Sequence, residues 1–128
     1  MVNGVNGNNA FSGFSVDDIE KAKDFYGRIL GMGVTDDNGA LRLSIGASKD
    51  VYVYSKNDHV PATYTILNFP VDDIDAAVGE LTRAGVKFEH YDMTDGKGIA
   101  RSDASGNGPD IAWFKDPAGN FLSVLKGS

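Results

Sequence analysis

Phe14-Ser15-Val16-Asp17-Asp18-Ile19-Glu20-Lys21-Ala22 returns fifty-five positions later as Phe69-Pro70-Val71-Asp72-Asp73-Ile74-Asp75-Ala76-Ala77, with Phe, Val, Asp, Asp, Ile and Ala in register. Both copies read alike. A short apolar strand ends at Val, and an Asp pair then supplies an N-cap and negative charge at the positive end of a helix dipole. An internal repeat fixes the architecture before local detail does, so the remaining chain is read as two copies of one module.

After the first Asp pair, Ile19, Ala22, Phe25, Tyr26, Ile29 and Leu30 fall at three- and four-residue spacing, and Gly31 and Gly33 stop the helix. After the second, Ile74, Ala77, Val78, Leu81 and Ala84 form the same stripe, and Gly85 stops it. Strands are expected after the first helix at 33–35, 40–45 and 51–54, with a turn at Asp36-Asp37-Asn38-Gly39. After the second they are expected at 86–91, 98–102, 111–114 and 121–125, with a turn at Asp116-Pro117-Ala118-Gly119. The order β-α-β-β-β, given twice, is the coarse prediction.

The expected organisation is a polar N-terminal tail over 1–10 and one domain over 11–126. Module 1 spans about 11–55, a short polar hinge with Pro61 about 55–62, and module 2 about 63–126. Residues 92–98 and 103–109 are rich in Gly, Asp and Ser and read either as mobile rims over a pocket or as plain hairpin connections.

The composition removes several function classes. A net charge of -6 and the lack of any Lys/Arg run argue against nucleic acid and anionic membrane as partners. With no cysteine, disulfides, thiolate nucleophiles and zinc fingers are excluded, which fits a cytoplasmic location. No apolar run approaches the ~20 residues of a membrane helix, and the start of the chain does not read as a secretory signal.

The strand ending in Val-x-Asp, the helix carrying Phe25-Tyr26 and ending at Leu30-Gly31, the duplicate after a linker, and the late run Trp113-Phe114-Lys115-Asp116-Pro117-Ala118-Gly119-Asn120 together resemble the vicinal-oxygen-chelate superfamily of glyoxalases, bleomycin resistance proteins and extradiol dioxygenases. The resemblance covers about Phe11 to Lys126. It is specific for fold and weak for function, since the superfamily includes lyases, ring-cleaving dioxygenases, epimerases, thiol transferases and drug-binding proteins. It implies an α+β fold in which two βαβββ modules curl their mixed sheets into half-barrels around a central cleft. It also implies, for the metal-dependent members, a divalent ion held by His, Gln or Glu from the first and last strands of the modules.

The family's ligand positions fall here on Phe11, Ile66 and Ser123, and on a fourth residue within Val51 to Tyr54, taken as Tyr52. Phe and Ile carry no donor, and a serine hydroxyl is a poor ligand for such ions. No metal and no cofactor are therefore expected. The chain has two imidazoles: His59 reads as a solvated hinge residue and His90 as a surface or structural one. Without the ion, the superfamily's enzymatic chemistry loses its electrophile.

The leading expectation is a protein that binds a small aromatic or cationic molecule, as the drug-sequestering members do. Phe11, Tyr52, Tyr54, Ile66 and Trp113, with Tyr64 as a further candidate, would give apolar and stacking surface; Asn68 and Ser123 would give hydrogen bonds. Aromatics on strands also serve as plain core, and alternation leaves the facing of Trp113 open. Asp92, Asp95, Asp103 and Asp110 near the rim loops would attract a cation. The alternatives are a metal-dependent lyase or dioxygenase whose ligands lie elsewhere in the alignment, a metal-free isomerase using His90 or Asp110 as base, and a non-catalytic accessory module. Members of the superfamily commonly pair, so a homodimer is expected.

Overall fold

The computed structural model describes residues 4–47, 49–102 and 108–127. Asp103, expected at a rim, lies outside the described residues. The chain divides into two units, Met1–His59 and Val60–Ser128.

In the first unit the elements run β1 (Ser12–Val16), α1 (Ile19–Lys23), β2 (Val34–Asp37), β3 (Ala40–Ser44) and β4 (Asp50–Ser55). In the second they run β5 (Thr65–Val71), α2 (Ile74–Arg83), β6 (Ile99–Ala100), β7 (Ile111–Lys115) and β8 (Phe121–Lys126). Among the described residues the strands form two four-stranded mixed sheets, ordered β1-β4-β3-β2 and β5-β8-β7-β6. The strand orders correspond position for position, as the duplicated α+β module requires.

The repeat's Asp pairs act as expected, through their second member. Asp18 caps α1, accepting from the Glu20 and Lys21 N–H groups at 3.1 Å each, and Asp73 caps α2 through the Ala76 N–H at 3.0 Å. Each satisfies donors that the first helical turn leaves without intrahelical partners. α2 ends in a Schellman closure: the Val86 N–H reaches the Leu81 carbonyl at 2.9 Å and Gly85 has φ 100°. α1 instead continues into a π-helical stretch, Asp24–Ile29, where the Leu30 N–H bonds the Phe25 carbonyl at 2.9 Å. Phe25 and Tyr26 are both buried in this stretch, with Ala22 one turn before them.

Each sheet buries one face with its helix. Val16, Leu41, Leu43, Val51 and Val53 are buried in the first unit; Ile99, Ala112, Phe114, Leu122 and Val124 are buried in the second. Burying a Leu or Phe side chain is worth about 1.5–3 kcal/mol, and this alternation fixes the register, because a one-residue slip would turn the whole set outward.

Two expectations change. The turn expected over 36–39 contracts to Asn38-Gly39, since β2 runs through Asp37; both turn residues have positive φ, 52° and 89°, the signature of a tight hairpin. The strand expected at 86–91 does not form. Ile99 and Ala100 occupy the edge of β7 opposite Ala112 and Ile111, leaving the segment a single bridge, Phe88 to Phe114, and the Glu89 N–H to Trp113 carbonyl bond at 2.8 Å. The ends of 55–62 are tied down separately: the Lys56 N–H bonds the Val16 carbonyl at 2.9 Å, and the Ala62 N–H the Asn120 side chain at 3.4 Å.

Gly98 holds this rearranged edge together. It has φ 91°, and a Cβ there would sit 2.9 Å from the Phe88 Cβ and 3.2 Å from the Glu89 carbonyl oxygen. Gly98→Ala should therefore lower urea-unfolding stability by about 1–3 kcal/mol. Gly96→Ala, with nothing within 4 Å of its added Cβ, should change it by less than about 0.5 kcal/mol. Equal effects from the two would show that Gly98 is not under this constraint.

Candidate functional site

In β4, Val51 and Val53 point into the core, so Tyr52 and Tyr54 take the opposite face. The parallel register pairs Gly13 with Tyr52 and Ser15 with Tyr54, and the antiparallel register pairs Arg42 with Tyr52 and Ser44 with Asp50. Phe11, Gly13 and Ser15 of the chain entering and forming β1, Arg42 of β3, and Asp50, Tyr52 and Tyr54 of β4 therefore share the face away from α1. Over it lies an open groove of about 720 Å³, lined by Asn8, Phe11, Asp37, Arg42, Ile45 and Tyr52 among others. Drug-sized molecules typically occupy pockets of roughly 300–1,000 Å³.

The groove's walls are aromatic and its floor carries charge. Phe11 is 74% exposed and meets Tyr52 edge-on with ring centroids 6.3 Å apart; Tyr52 and Tyr54 stack at 6.0 Å. Leaving a phenylalanine this exposed beside Tyr52 forgoes burial worth about 1.5–3 kcal/mol, an arrangement suited to covering by a flat ring. Arg42 is held over the sheet by Asp37 at 3.2 Å and Asp50 at 3.9 Å. At the far end of the same face Ser15 Oγ lies 2.6 Å from His59 Nδ1, with the pair partly buried. His59 is thus not the solvated hinge residue its position suggested: the hydroxyl of β1 binds it.

The candidate residues of the second unit form a corresponding face. Gly13 and Asn68 are equivalent in the repeat, and Asn68 pairs with Ser123 as Gly13 pairs with Tyr52. The ladder therefore makes Tyr52 and Ser123 counterparts. Trp113, whose facing the sequence left open, is the antiparallel partner of Ser123 and shares its face. Ser123 is fully buried and donates its hydroxyl to Asn68 Oδ1 at 2.6 Å. Ile66 falls in the bulge between Thr65 and Leu67 and is half-buried. Tyr64, Tyr91, Met93, Trp113 and Phe121 surround a shallower hollow of about 240 Å³, with Tyr91 edge-on to Trp113 at 5.8 Å.

Seven candidates thus separate by unit: Phe11, Tyr52 and Tyr54 meet on the first sheet, and Ile66, Asn68, Trp113 and Ser123 lie on the second. Asp37, Arg42, Ile45 and Asp50 were missed. A signal existed for Arg42, the sole charge in a strand whose neighbours Leu41 and Leu43 face the core; Asp37 was hidden by being read as turn. The residues present do not fit a divalent ion: Phe11, Tyr52, Ile66 and Ser123 offer no carboxylate or imidazole, and no cluster of three or more His, Asp or Glu suited to a metal occurs among the described residues.

The model of the Glyoxalase/Bleomycin resistance protein/Dioxygenase superfamily matches residues 10–124. Solved structures share the fold at low identity. TnmS3, an antibiotic-binding protein from a Streptomyces species, is 24% identical, with 97% of this chain and 100% of that one covered and a TM-score of 0.67. A bleomycin-binding protein in complex with bleomycin is 18% identical, with 94% and 98% covered and a TM-score of 0.66. The fosfomycin resistance protein FosX of Listeria monocytogenes is 15% identical, with 100% and 96% covered and a TM-score of 0.70. No curated protein sequence matches the chain.

The Asn68–Ser123 bond gives an asymmetric expectation. Ser123→Ala leaves Asn68, which is exposed, to solvent water and should cost about 1 kcal/mol. Asn68→Ala strands a fully buried hydroxyl and should cost more, up to about 3 kcal/mol, although the residue removed is the exposed one. Chemical denaturation of the two variants checks the order, and a larger loss from Ser123→Ala would contradict it.

Proposed function

Because the chain belongs to the glyoxalase/bleomycin resistance protein/dioxygenase superfamily, by its match over residues 10–124, we propose that it binds a small aromatic or cationic molecule without a metal, in the manner of the drug-sequestering members. The observation that carries this reading is the groove of the first sheet, where Phe11 and Tyr52 meet edge-on with ring centroids 6.3 Å apart; the family resemblance implies that metal ligands stand at these positions in the metal-dependent members. Phe11 and Tyr52 supply stacking surface, with Tyr54 stacked behind Tyr52, Ile45 an apolar edge, and the Asp37–Arg42–Asp50 chain orienting charges. The net charge of -6 favours a cation at long range, while within the groove Asp37 and Asp50 are balanced by Arg42 and Lys49. The low-identity structural neighbours that bind bleomycin and other antibiotics are compatible with this reading.

The second sheet adds a face of different character, where Ile66 and Trp113 are apolar and Asn68 and Ser123 bond each other. No helix among the described residues is long and apolar enough to cross a membrane, and the cysteine-free composition suits a reducing cytoplasm, where we place the protein. The exposed Tyr64 and Met93 supply apolar surface for a twofold contact, and we place the protein there as a homodimer.

A thermal-shift screen tests the binding reading directly. Planar aromatic and cationic antibiotics should raise Tm, a ligand at a hundredfold excess over Kd adding about 2.7 kcal/mol of stability, and Tyr52→Ala should remove most of the shift. Nickel, zinc, manganese and iron should leave Tm unchanged. A stoichiometric ion in protein purified without chelators, or stabilisation by micromolar metal, would instead favour a metal-dependent lyase or dioxygenase.

Light scattering coupled to size exclusion should return about twice 13.6 kDa. A mass near 13.6 kDa would remove the dimer while leaving the binding reading intact.

A further inference from the structure

A second groove lies wholly within the Val60–Ser128 unit. It holds about 660 Å³ between α2 and the segment that follows it, and is lined by Val78, Gly79, Arg83, Val86, Lys87 and Phe88, with Asp75, Thr82, His90, Gly96 and Lys97 completing it. Val78, Val86 and Phe88 are buried and form an apolar floor. Gly79 sits inside α2, where glycine costs about 0.5–1 kcal/mol relative to alanine, and its missing side chain lets the Arg83 guanidinium lie against the helix: a Cβ there would be 3.4 Å from Arg83 Nη1.

The wall opposite α2 is latched. Arg101 grips Asp75 with two hydrogen bonds, 3.0 and 2.8 Å, and reaches Asp95 at 3.1 Å, while Lys97 meets Asp75 at 3.2 Å. Forked Arg–carboxylate geometry of this kind holds both partners in one orientation. The hydrogen bonds from Arg101 and then Lys97 keep the Asp75 carboxyl well below its ordinary range, so the latch stays ionised. The groove is therefore formed before anything enters it.

Charge identifies the occupant. Asp75 is the one carboxylate in the lining and is already neutralised by Arg101 and Lys97. Arg83 and Lys87 make no ion pair among the described residues. A chain of net charge -6 thus presents two unneutralised cations over an apolar floor. We propose that this groove binds a small organic anion with an apolar body, the acidic head on Arg83 and Lys87 and the body on Val78, Val86 and Phe88. A guanidinium fork suits carboxylate, sulfonate or phosphate heads equally. This site is independent of the first-sheet groove and takes a ligand of opposite charge.

The probe is 8-anilinonaphthalene-1-sulfonate, titrated by fluorescence into the full chain, with its uncharged analogue N-phenyl-1-naphthylamine alongside. The double variant Arg83→Glu/Lys87→Glu should weaken binding of the sulfonate by about tenfold or more, the scale of losing charge-assisted hydrogen bonds, and leave the uncharged analogue within about twofold. Gly79→Leu, which fills the groove and favours the helix, should weaken both probes. Phe11→Ala, in the other groove, should change neither by more than about twofold. Unchanged sulfonate affinity in the charge-reversed and Gly79→Leu proteins, loss confined to Phe11→Ala, or no binding by the native chain would each overturn the proposal. None of these outcomes bears on the antibiotic-induced shift sensitive to Tyr52.

Discussion

Each sheet hangs on one parallel strand pair, β1 with β4 and β5 with β8. A parallel pair cannot be closed by a tight turn and needs a crossover, which here is the helix and the rest of the module. The helix must start sharply after the first strand, and the Asp18 and Asp73 caps provide that start. Once the helix covers one face, Val51 and Val53 or Leu122 and Val124 must turn toward it, and strand alternation sends Tyr52 and Ser123 to the other face. The face that carries the candidate residues follows from how the core is buried.

That same alternation leaves the chemistry of each outward face to its side chains alone. The second sheet carries a fully buried Ser123 whose hydroxyl is satisfied by Asn68; the first carries Phe11 and Tyr52 beside an Arg42 held between two carboxylates. Buried polar groups need partners and exposed rings need cover, and these opposite demands give the two sheets different surfaces on one topology.

Net charge is a poor guide to local recognition in this molecule. The -6 total suggests cationic partners everywhere, yet in the lining of the first-sheet groove Asp37 and Asp50 are balanced by Arg42 and Lys49. The groove beside α2 goes further the other way, because Arg101 and Lys97 neutralise Asp75 and leave Arg83 and Lys87 without a counter-charge among the described residues. Within one Debye length, about 8–10 Å, it is this local imbalance that a ligand meets.

The sequence by itself determined what depends on near neighbours: the repeat at Phe14 and Phe69, the capping Asp residues, the apolar stripes of the helices, and the alternation of Val51 to Tyr54. Tertiary structure decided what depends on pairing between distant segments. The segment 86–91 keeps only a bridge at Phe114 because Ile99 and Ala100 pair with β7 at Ala112 and Ile111. His59 is half-buried and bonded to Ser15, forty-four positions away. Arg42 joined the groove because β2 ran on through Asp37 and β4 brought Asp50 alongside. Local propensity acts over three or four residues, whereas an edge hydrogen bond or a shared sheet face is fixed only when remote strands compete for it and one of them wins.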